Sequence, residues 1–287
     1  MVNMKKKITA IIQARQSSSR FKNKILEKIN HQEVILFLIN RLKKSKYIND
    51  IIVAIPNNKQ NDKLYNLLIK NKTIVFRGSE QNVLKRYFEC VQKFKIDDIL
   101  RITSDCPLID LKILDNMAKE YLSGNFDYFS NTLTRTFPDG MDLEFFKSNT
   151  LKIAYQSSIL ESDKEHVTPY MIRSSIFKKK NFYNKINYSK IRITLDYPSD
   201  LQVIRKFINH CKRNRIKDDL SHLIIFYKNN QSIFKNNDFK IKNKINNSDK
   251  RKLPQILWRK ANEYIAGGNS LFSKRPDLYS KNMWPTY

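Results

Sequence analysis

The chain is poor in several features that would otherwise narrow its class at once. It has only three cysteines, and Cys90, Cys106 and Cys211 lie far apart and form no CxxC pair. That excludes a disulfide framework and a zinc knuckle, and it favours a reduced, cytoplasmic protein. No hydrophobic run approaches the roughly 18–20 apolar residues of a membrane span. The apolar stretch at residues 8–12 stops at Gln13, too short for a secretory signal core. No membrane partner is expected. Glycine is scarce, at five residues in 287, and the glycine-rich signatures GxGxxG, GxxxxGK[ST] and GxSxG are all missing. Acidic residues are the minority, 27 against 54 lysines and arginines, for a net charge of +27. Such a charge can mark a polyanion partner. Here the lysines are scattered among many asparagines and isoleucines, as an AT-rich genome would produce, and they form no stripe. Nucleic acid is therefore not the expected partner, although the charge favours small phosphorylated ligands.

What is present is enough for a sizeable core: 41% of the 287 residues are hydrophobic. No internal repeat of fixed period is visible. Residues 7–13 (KITAIIQ), 50–55 (DIIVAI), 73–76 and 98–103 (DILRIT) read as buried strands. Between and after them, residues 32–44, 61–70, 81–94 and 111–122 carry apolar residues at helical spacing. Strand and helix alternate, the mark of an α/β fold with a mainly parallel central sheet and helices on both faces. Ligands of such sheets bind at the carboxyl ends of the strands. Beyond residue 127, strands are expected at 128–133 and 141–145 around the turn Pro138-Asp139-Gly140, and at 191–195. Helices are expected at 149–160, 165–174, 200–211 and 218–227. The expected domains are 1–228, a polar Lys/Asn-rich linker over 229–252, and a tail over 253–287 that holds both tryptophans.

Three strand ends could carry chemistry. The first runs Gln13-Ala14-Arg15-Gln16-Ser17-Ser18-Ser19-Arg20-Phe21-Lys22-Asn23-Lys24. Hydroxyls and backbone amides between cations can surround a triphosphate, but the same composition suits an ordinary solvated loop. The fourth strand runs into Thr103-Ser104-Asp105-Cys106-Pro107, with Asp110 beyond. Asp105 could hold Mg²⁺ or simply make a turn, and Asp110 could cap a helix. The third run is Asp196-Tyr197-Pro198-Ser199-Asp200, where Asp200 or Ser199 could cap the helix and Asp196 is harder to explain that way. Two acids at two strand ends can share magnesium bridged to nucleotide phosphates. His166 could be a ligand, an acid–base group or a structural histidine, and His31, His210 and His222 show no metal or triad pattern.

Six segments occur in a telling order: IIQARxxSxRxxxK, FRGSExxVLxRY, RITxDCPLID, SNTxxRTFPDGxDxE, EHVTPY and TLDYPxDL. Together they resemble the spore-coat polysaccharide cytidylyltransferase family (SpsF type), relatives of the acylneuraminate and 3-deoxy-manno-octulosonate cytidylyltransferases, over about residues 7–212. The resemblance implies a GT-A-like, Rossmann-type nucleotidyltransferase fold. It also implies attack of an acceptor oxygen on the α-phosphate of CTP, giving a CMP-linked product and pyrophosphate. Carried onto this chain, Arg15 and Lys24 would hold the triphosphate with Ser18 and Arg20, beside Gln13 and Ala14. Asp105 and Asp196 would bind Mg²⁺. Arg77, Gly78, Ser79 and Glu80 would close around base and sugar, with Arg101 and Thr103 near the cytosine. Arg135, Asp139, Asp142, Glu144 and His166 would line the acceptor side, and the partners would be CTP and a sugar acid or related acceptor.

The family usually has glycine at Ser17 and proline at Lys22, so the first loop is expected to take a different path and to bind nucleotide less tightly. Residues 258–287 resemble the opening of a class III aminotransferase of the glutamate-1-semialdehyde aminomutase type, without its cofactor lysine. That tail suggests the front part of a fusion, or a split or truncated gene product, and its apolar residues are expected to lie loosely on the first domain or to mediate association; a homodimer or an aminotransferase domain is the partner considered. Competing readings are a GT-A glycosyltransferase, a transferase using another nucleoside triphosphate, and a non-catalytic or RNA-binding basic protein.

Overall fold

The computed structural model describes residues 7–18 and 20–238. Its centre is the isoleucine-rich strand β1 (Ile8–Gln13), in which Ile8, Ala10, Ile11 and Ile12 are wholly buried. Alternate residues of a strand point to opposite faces. Accordingly Ile8, Ala10 and Ile12 pack into one apolar cluster and Ile11 into the other. Helix α1 (Val34–Leu42), strand β2 (Ile48–Pro56), helix α2 (Asp62–Lys70), strand β3 (Ile74–Gly78), helix α3 (Val83–Phe94), strand β4 (Asp98–Thr103) and helix α4 (Leu111–Ser123) follow in the expected alternation. The first expected helix starts late, because Gln32–Glu33 pairs with Lys28–Ile29 in a short hairpin. The two residues between, Asn30 and His31, both have positive φ, as a tight hairpin turn of the right twist requires.

The second half adds strands β5 (Tyr128–Ser130) and β6 (Glu144–Lys147), helices α5 (Ser148–Ser157), α6 (Glu161–His166) and α7 (Pro169–Arg173), strand β7 (Lys179–Asn181), and helices α8 (Pro198–Arg213), α9 (Leu220–Asn229) and α10 (Gln231–Asp238). The sheet order is β3-β2-β1-β4-β6-β5-β7. Only β6 runs against the others: it is antiparallel to β4 and β5, while every other pairing is parallel. Helices α1, α4 and α8 cover one face, and α3 and α5 the other.

Three expectations need correction. Residues 191–195 are not a ladder strand. They make a single parallel bridge, Arg192 to Asp139, because their neighbours are the 138–140 turn and the loop after β4 rather than a strand. Leu195 N donates to Asp105 O at 2.8 Å, and Ile193 N to Asp139 O at 2.8 Å. Gly140, at φ 110°, makes this approach feasible, since a Cβ there would lie 2.6 Å from Thr194 N. The helix expected over 165–174 is two helices, broken at Val167. Finally, residues 231–238 at the start of the expected linker are helical, and Phe234 is buried. The rest of that segment and the aminotransferase-like tail lie outside the described residues. No described helix is long and apolar enough to cross a membrane.

Candidate active site

Parallel register sets the site. Gln13 at the end of β1 pairs with Ala54 on one side and Thr103 on the other, so the chain leaves β1 and β4 side by side. Ala14 N donates to Ala54 O at 3.2 Å and Ser104 N to Gln13 O at 3.1 Å, which prolongs the ladder into both loops. The first loop then turns on Gln16, a residue the sequence did not single out. Its backbone N–H donates to Asn61 Oδ1 (2.9 Å), its side-chain amide to Asn23 Oδ1 (3.1 Å), and its Oε1 accepts from Leu64 N (2.9 Å). The left-handed residue in this loop is Asn23, at φ 58°. Ser17 is not among the positive-φ residues, so its path asks for no glycine.

Across this edge lies a cavity of about 520 Å³. Gln13, Ala14, Arg15, Ser18, Arg20, Lys24, Arg101, Thr103, Asp105, Arg135, Asp139, Asp142, His166 and Asp196 all line it. Lys24 is buried at its centre. Its Nζ donates to Asp105 Oδ2 at 3.1 Å, Asp196 Oδ1 at 3.2 Å and Leu195 O at 2.7 Å. Arg20 also reaches Asp196 Oδ1, at 2.8 Å, and Arg192 holds the other oxygen, Oδ2, at 2.8 Å. Arg192 in turn pairs with Asp139 at 3.0 Å, so one buried guanidinium ties the 138–140 turn to Asp196. Asp200 caps α8 from inside, accepting from the backbone N–H groups of Asp196 (2.7 Å) and Tyr197 (2.8 Å), which fixes the approach of Asp196. Asp110 is likewise a cap, accepting from Lys112 N and Ile113 N at the start of α4.

Arg135, Asp139 and Asp142, expected on the acceptor side, form a second charged cluster. Arg135 grips Asp142 with both terminal nitrogens, at 2.5 and 2.8 Å, and reaches Asp139 at 3.6 Å. Burial raises the Asp142 carboxyl above its usual range, outweighing the Arg135 hydrogen bond that pulls it down. Burial raises the Cys106 thiol as well, reinforced by Asp105, which favours the neutral thiol in the cavity wall. Glu144 stands behind the cavity. It accepts from Arg101, from Tyr128 Oη (2.5 Å) and from Thr168 Oγ1 (2.7 Å), joining β4, β5 and the α6–α7 corner. Burial works against the Arg101 charge, yet Glu144 more than compensates and holds it firmly protonated.

The Arg77–Glu80 group does not line the cavity. Arg77 Nη2 donates to Asn58 O and Asp62 Oδ1, both at 2.8 Å, and its guanidinium lies over the Tyr65 ring. Ser79 is used by α3: its Oγ accepts from Asn82 N at 3.1 Å, and its carbonyl accepts from Arg86. Glu80 is exposed. The lining also includes Val83, Arg86, Ser104, Cys106, Glu165, Thr168 and Thr194, which the sequence reading did not assign. Several of these stood inside the recognised segments, and that was the signal available for them. Glu165, His166 and Thr168 reach the cavity through a γ-turn of the rarer hand. Val167 has φ 71° and ψ −51°, and Thr168 N donates to His166 O at 2.8 Å. A buried valine in that conformation is strained, as residues at functional sites often are.

A sequence profile described as cytidylyltransferase matches residues 9–245. This chain belongs to the cytidylyltransferase family. An uncharacterized protein of Methanocaldococcus jannaschii is 34% identical over 230 residues, covering 79% of this chain and 93% of its own length. The spore coat polysaccharide biosynthesis protein SpsF of Bacillus subtilis is 28% identical over 206 residues, covering 69% of this chain and 85% of its own. Among solved structures, a cytidylyltransferase from Leptospira borgpetersenii superposes with a TM-score of 0.73 at 32% identity, covering 80% of this chain and 97% of that one. The cytidylyltransferase is thus a nucleotidyltransferase enzyme with the expected α/β fold.

The residues present fit a divalent cation. Asp105 and Asp196 come from two different loops and converge on one point, now held by the Lys24 ammonium. Two hard carboxylates beside a nucleotide suit Mg²⁺, which takes one or two carboxylates and completes its shell with phosphate and water. Among the described residues no cluster of three or more His, Cys, Asp or Glu could hold a metal by itself.

Proposed function

We propose that this cytidylyltransferase moves CMP from CTP to a sugar acid or related small acceptor, with release of pyrophosphate, in surface polysaccharide synthesis. One observation carries the reading: a single cavity at the ends of β1 and β4 brings together Arg15, Arg20 and Lys24 with Asp105 and Asp196. Cations for a polyphosphate and paired carboxylates for Mg²⁺ are the requirements of in-line displacement at phosphorus, where positioning and charge neutralisation supply most of the catalysis. The name of the Bacillus subtilis relative supports the polysaccharide context.

In this reading Arg15 meets the triphosphate, and Lys24 leaves its two carboxylates for the phosphates as CTP enters. Asp105 and Asp196 would hold Mg²⁺, which would supply positive charge beside the phosphates. Arg192 and Asp200 keep Asp196 aimed. On the acceptor side Arg135 offers a cation for a carboxylate. Asp142, raised by burial, has the direction of shift that suits a group accepting the acceptor's proton.

The test is calorimetric titration with CTP, ATP, GTP and UTP in the presence of Mg²⁺, followed by pyrophosphate release with candidate sugar acids. Selective CTP binding is expected. Asp105→Asn should abolish turnover with the fold intact, since it removes a metal-binding charge and no core contact. Wild-type turnover in that variant would falsify the metal assignment.

A further inference from the structure

Helix α3 presents two residues to the cavity one turn apart, Val83 and Arg86. Arg86 is among the largest fully buried side chains, at 2% exposure. Among the described residues its guanidinium makes one hydrogen bond, to Ser79 O, and its Nε has no partner. Among the described residues no carboxylate lies within ion-pair reach of it or of Arg15, whereas Arg20, Lys24, Arg101 and Arg135, which line the same cavity, all have acid partners. Burial lowers the Arg86 pKa to about 10, helped by the nearby Arg15 charge and opposed by Tyr87 and Glu80. A buried cation without an acid is costly unless a ligand supplies acceptors. Gly78 makes room for the side chain: a Cβ there would lie 2.9 Å from Arg86 Cγ.

Two apolar residues of the same cavity say which part of a ligand suits this region. Val83 and Ala14 are nearly buried, apolar, and line the same cavity. A flat base gains from such a surface, and a polyphosphate does not. Cytosine presents two adjacent acceptors, N3 and O2, on the edge away from its sugar. Uracil carries a hydrogen on N3. A guanidinium can only donate.

We propose that Arg86 determines base specificity: its guanidinium donates to N3 and O2 of a cytosine ring packed against Val83 and Ala14, and uracil is rejected because its N3–H opposes a donor. This inference rests on the reading of the cavity as a CTP site. The two can fail separately.

The experiment is calorimetric titration of the full chain and of Arg86→Met with CMP, UMP and inorganic pyrophosphate, with CTP as the reference ligand. The wild type should prefer CMP to UMP by about ten- to a hundred-fold, the range of a good bidentate base contact. Arg86→Met should bring that ratio close to one and leave pyrophosphate affinity unchanged. If Arg86→Met melts early, Arg86→Lys keeps a charge and a donor for Ser79 O but loses the planar fork, and the ratio should fall in the same way. An unchanged ratio with intact CTP binding overturns the inference alone. A loss of pyrophosphate affinity as large as the loss of CMP affinity also overturns it, and assigns Arg86 to the phosphates. A wild-type chain that binds neither CTP nor CMP overturns the nucleotide reading, and this inference with it.

Discussion

Lys24 spends all three of its ammonium hydrogens on two carboxylates and a carbonyl. In the nucleotide-free protein it does from within what a divalent cation would do from without, keeping Asp105 and Asp196 from facing each other as bare charges. In the proposed reading metal and lysine compete for one position, and the triphosphate draws the lysine away. Lys24→Met should abolish turnover yet tighten Mn²⁺ binding to the nucleotide-free protein by about tenfold or more, because a like charge a few ångströms away is gone. Titration followed by electron paramagnetic resonance reads this directly, and an affinity equal to that of the wild type would contradict the competition. At this scale the meeting of Arg15, Lys24, Asp105 and Asp196 in one cavity was legible, since each stands within a recognisable run. Gln16, Asn61 and Arg192 were not legible. Their work is done through contacts with residues remote in sequence, such as Gln16 N to Asn61 Oδ1 across 45 positions. Glu144 shows the converse: a place in a legible run, but a side chain turned to Arg101, Tyr128 and Thr168 behind the cavity.

The elements that position these side chains are held at their ends. Asp110 caps α4 through one oxygen, and its other oxygen accepts from Leu220 N at 2.7 Å, at the start of α9. One buried carboxylate thus fastens two helices, and Asp110→Ala should cost about 2 kcal/mol in urea denaturation. The loss should be distinctly smaller in Asp110→Asn, which keeps an acceptor. Asp219 is the N-cap of α9, accepting from the backbone and ring of His222 at 3.0 and 2.8 Å. Partial burial pushes its pKa up, but these hydrogen bonds outweigh that and hold it below the usual 3.8. A depressed carboxyl contributes stability above its unfolded value and loses it as pH falls through the folded one. Asp219→Ala should therefore be about 1 kcal/mol less stable than the wild type at neutral pH, with the gap closing below pH 3.8. A gap that persists in acid would mean the cap does not depend on the charge. Local pattern revealed β1, β2 and β4 because buried parallel strands are continuous apolar runs. It misread residues 191–195 because β-type composition does not say whether a strand or a turn lies alongside. It also missed the break at Val167, where cavity contacts override helical spacing.

For the whole molecule, alternation of strand and helix was enough to give the α/β class, since each element has its own period. The reversal at β6 was not readable, because strand direction depends on partners far along the chain. The carboxyl boundary was hidden for a different reason. Residues 229–252 are so rich in lysine and asparagine that Ile233 and Phe234 pass unnoticed, yet both join the core. Phe234 packs edge-on against Phe226 and Tyr227, with ring centroids 6.2 and 4.9 Å apart, and Phe226 continues the stack to Phe207 of α8. Helix α10 is thus part of the domain and not a link out of it, in keeping with the family match that runs to residue 245. A chain ended after residue 245 should retain wild-type CTP affinity and denature at the same urea concentration as the full chain. A chain ended after residue 228 should lose about 3–5 kcal/mol, the usual cost of removing a buried phenylalanine. Its CTP affinity, measured where it is still folded, should hold, because no described side chain of α10 lines the cavity. Equal stability of the two truncations would return α10 to the role of a linker, whereas loss of CTP binding on cutting after 245 would give the remaining residues a part in the site.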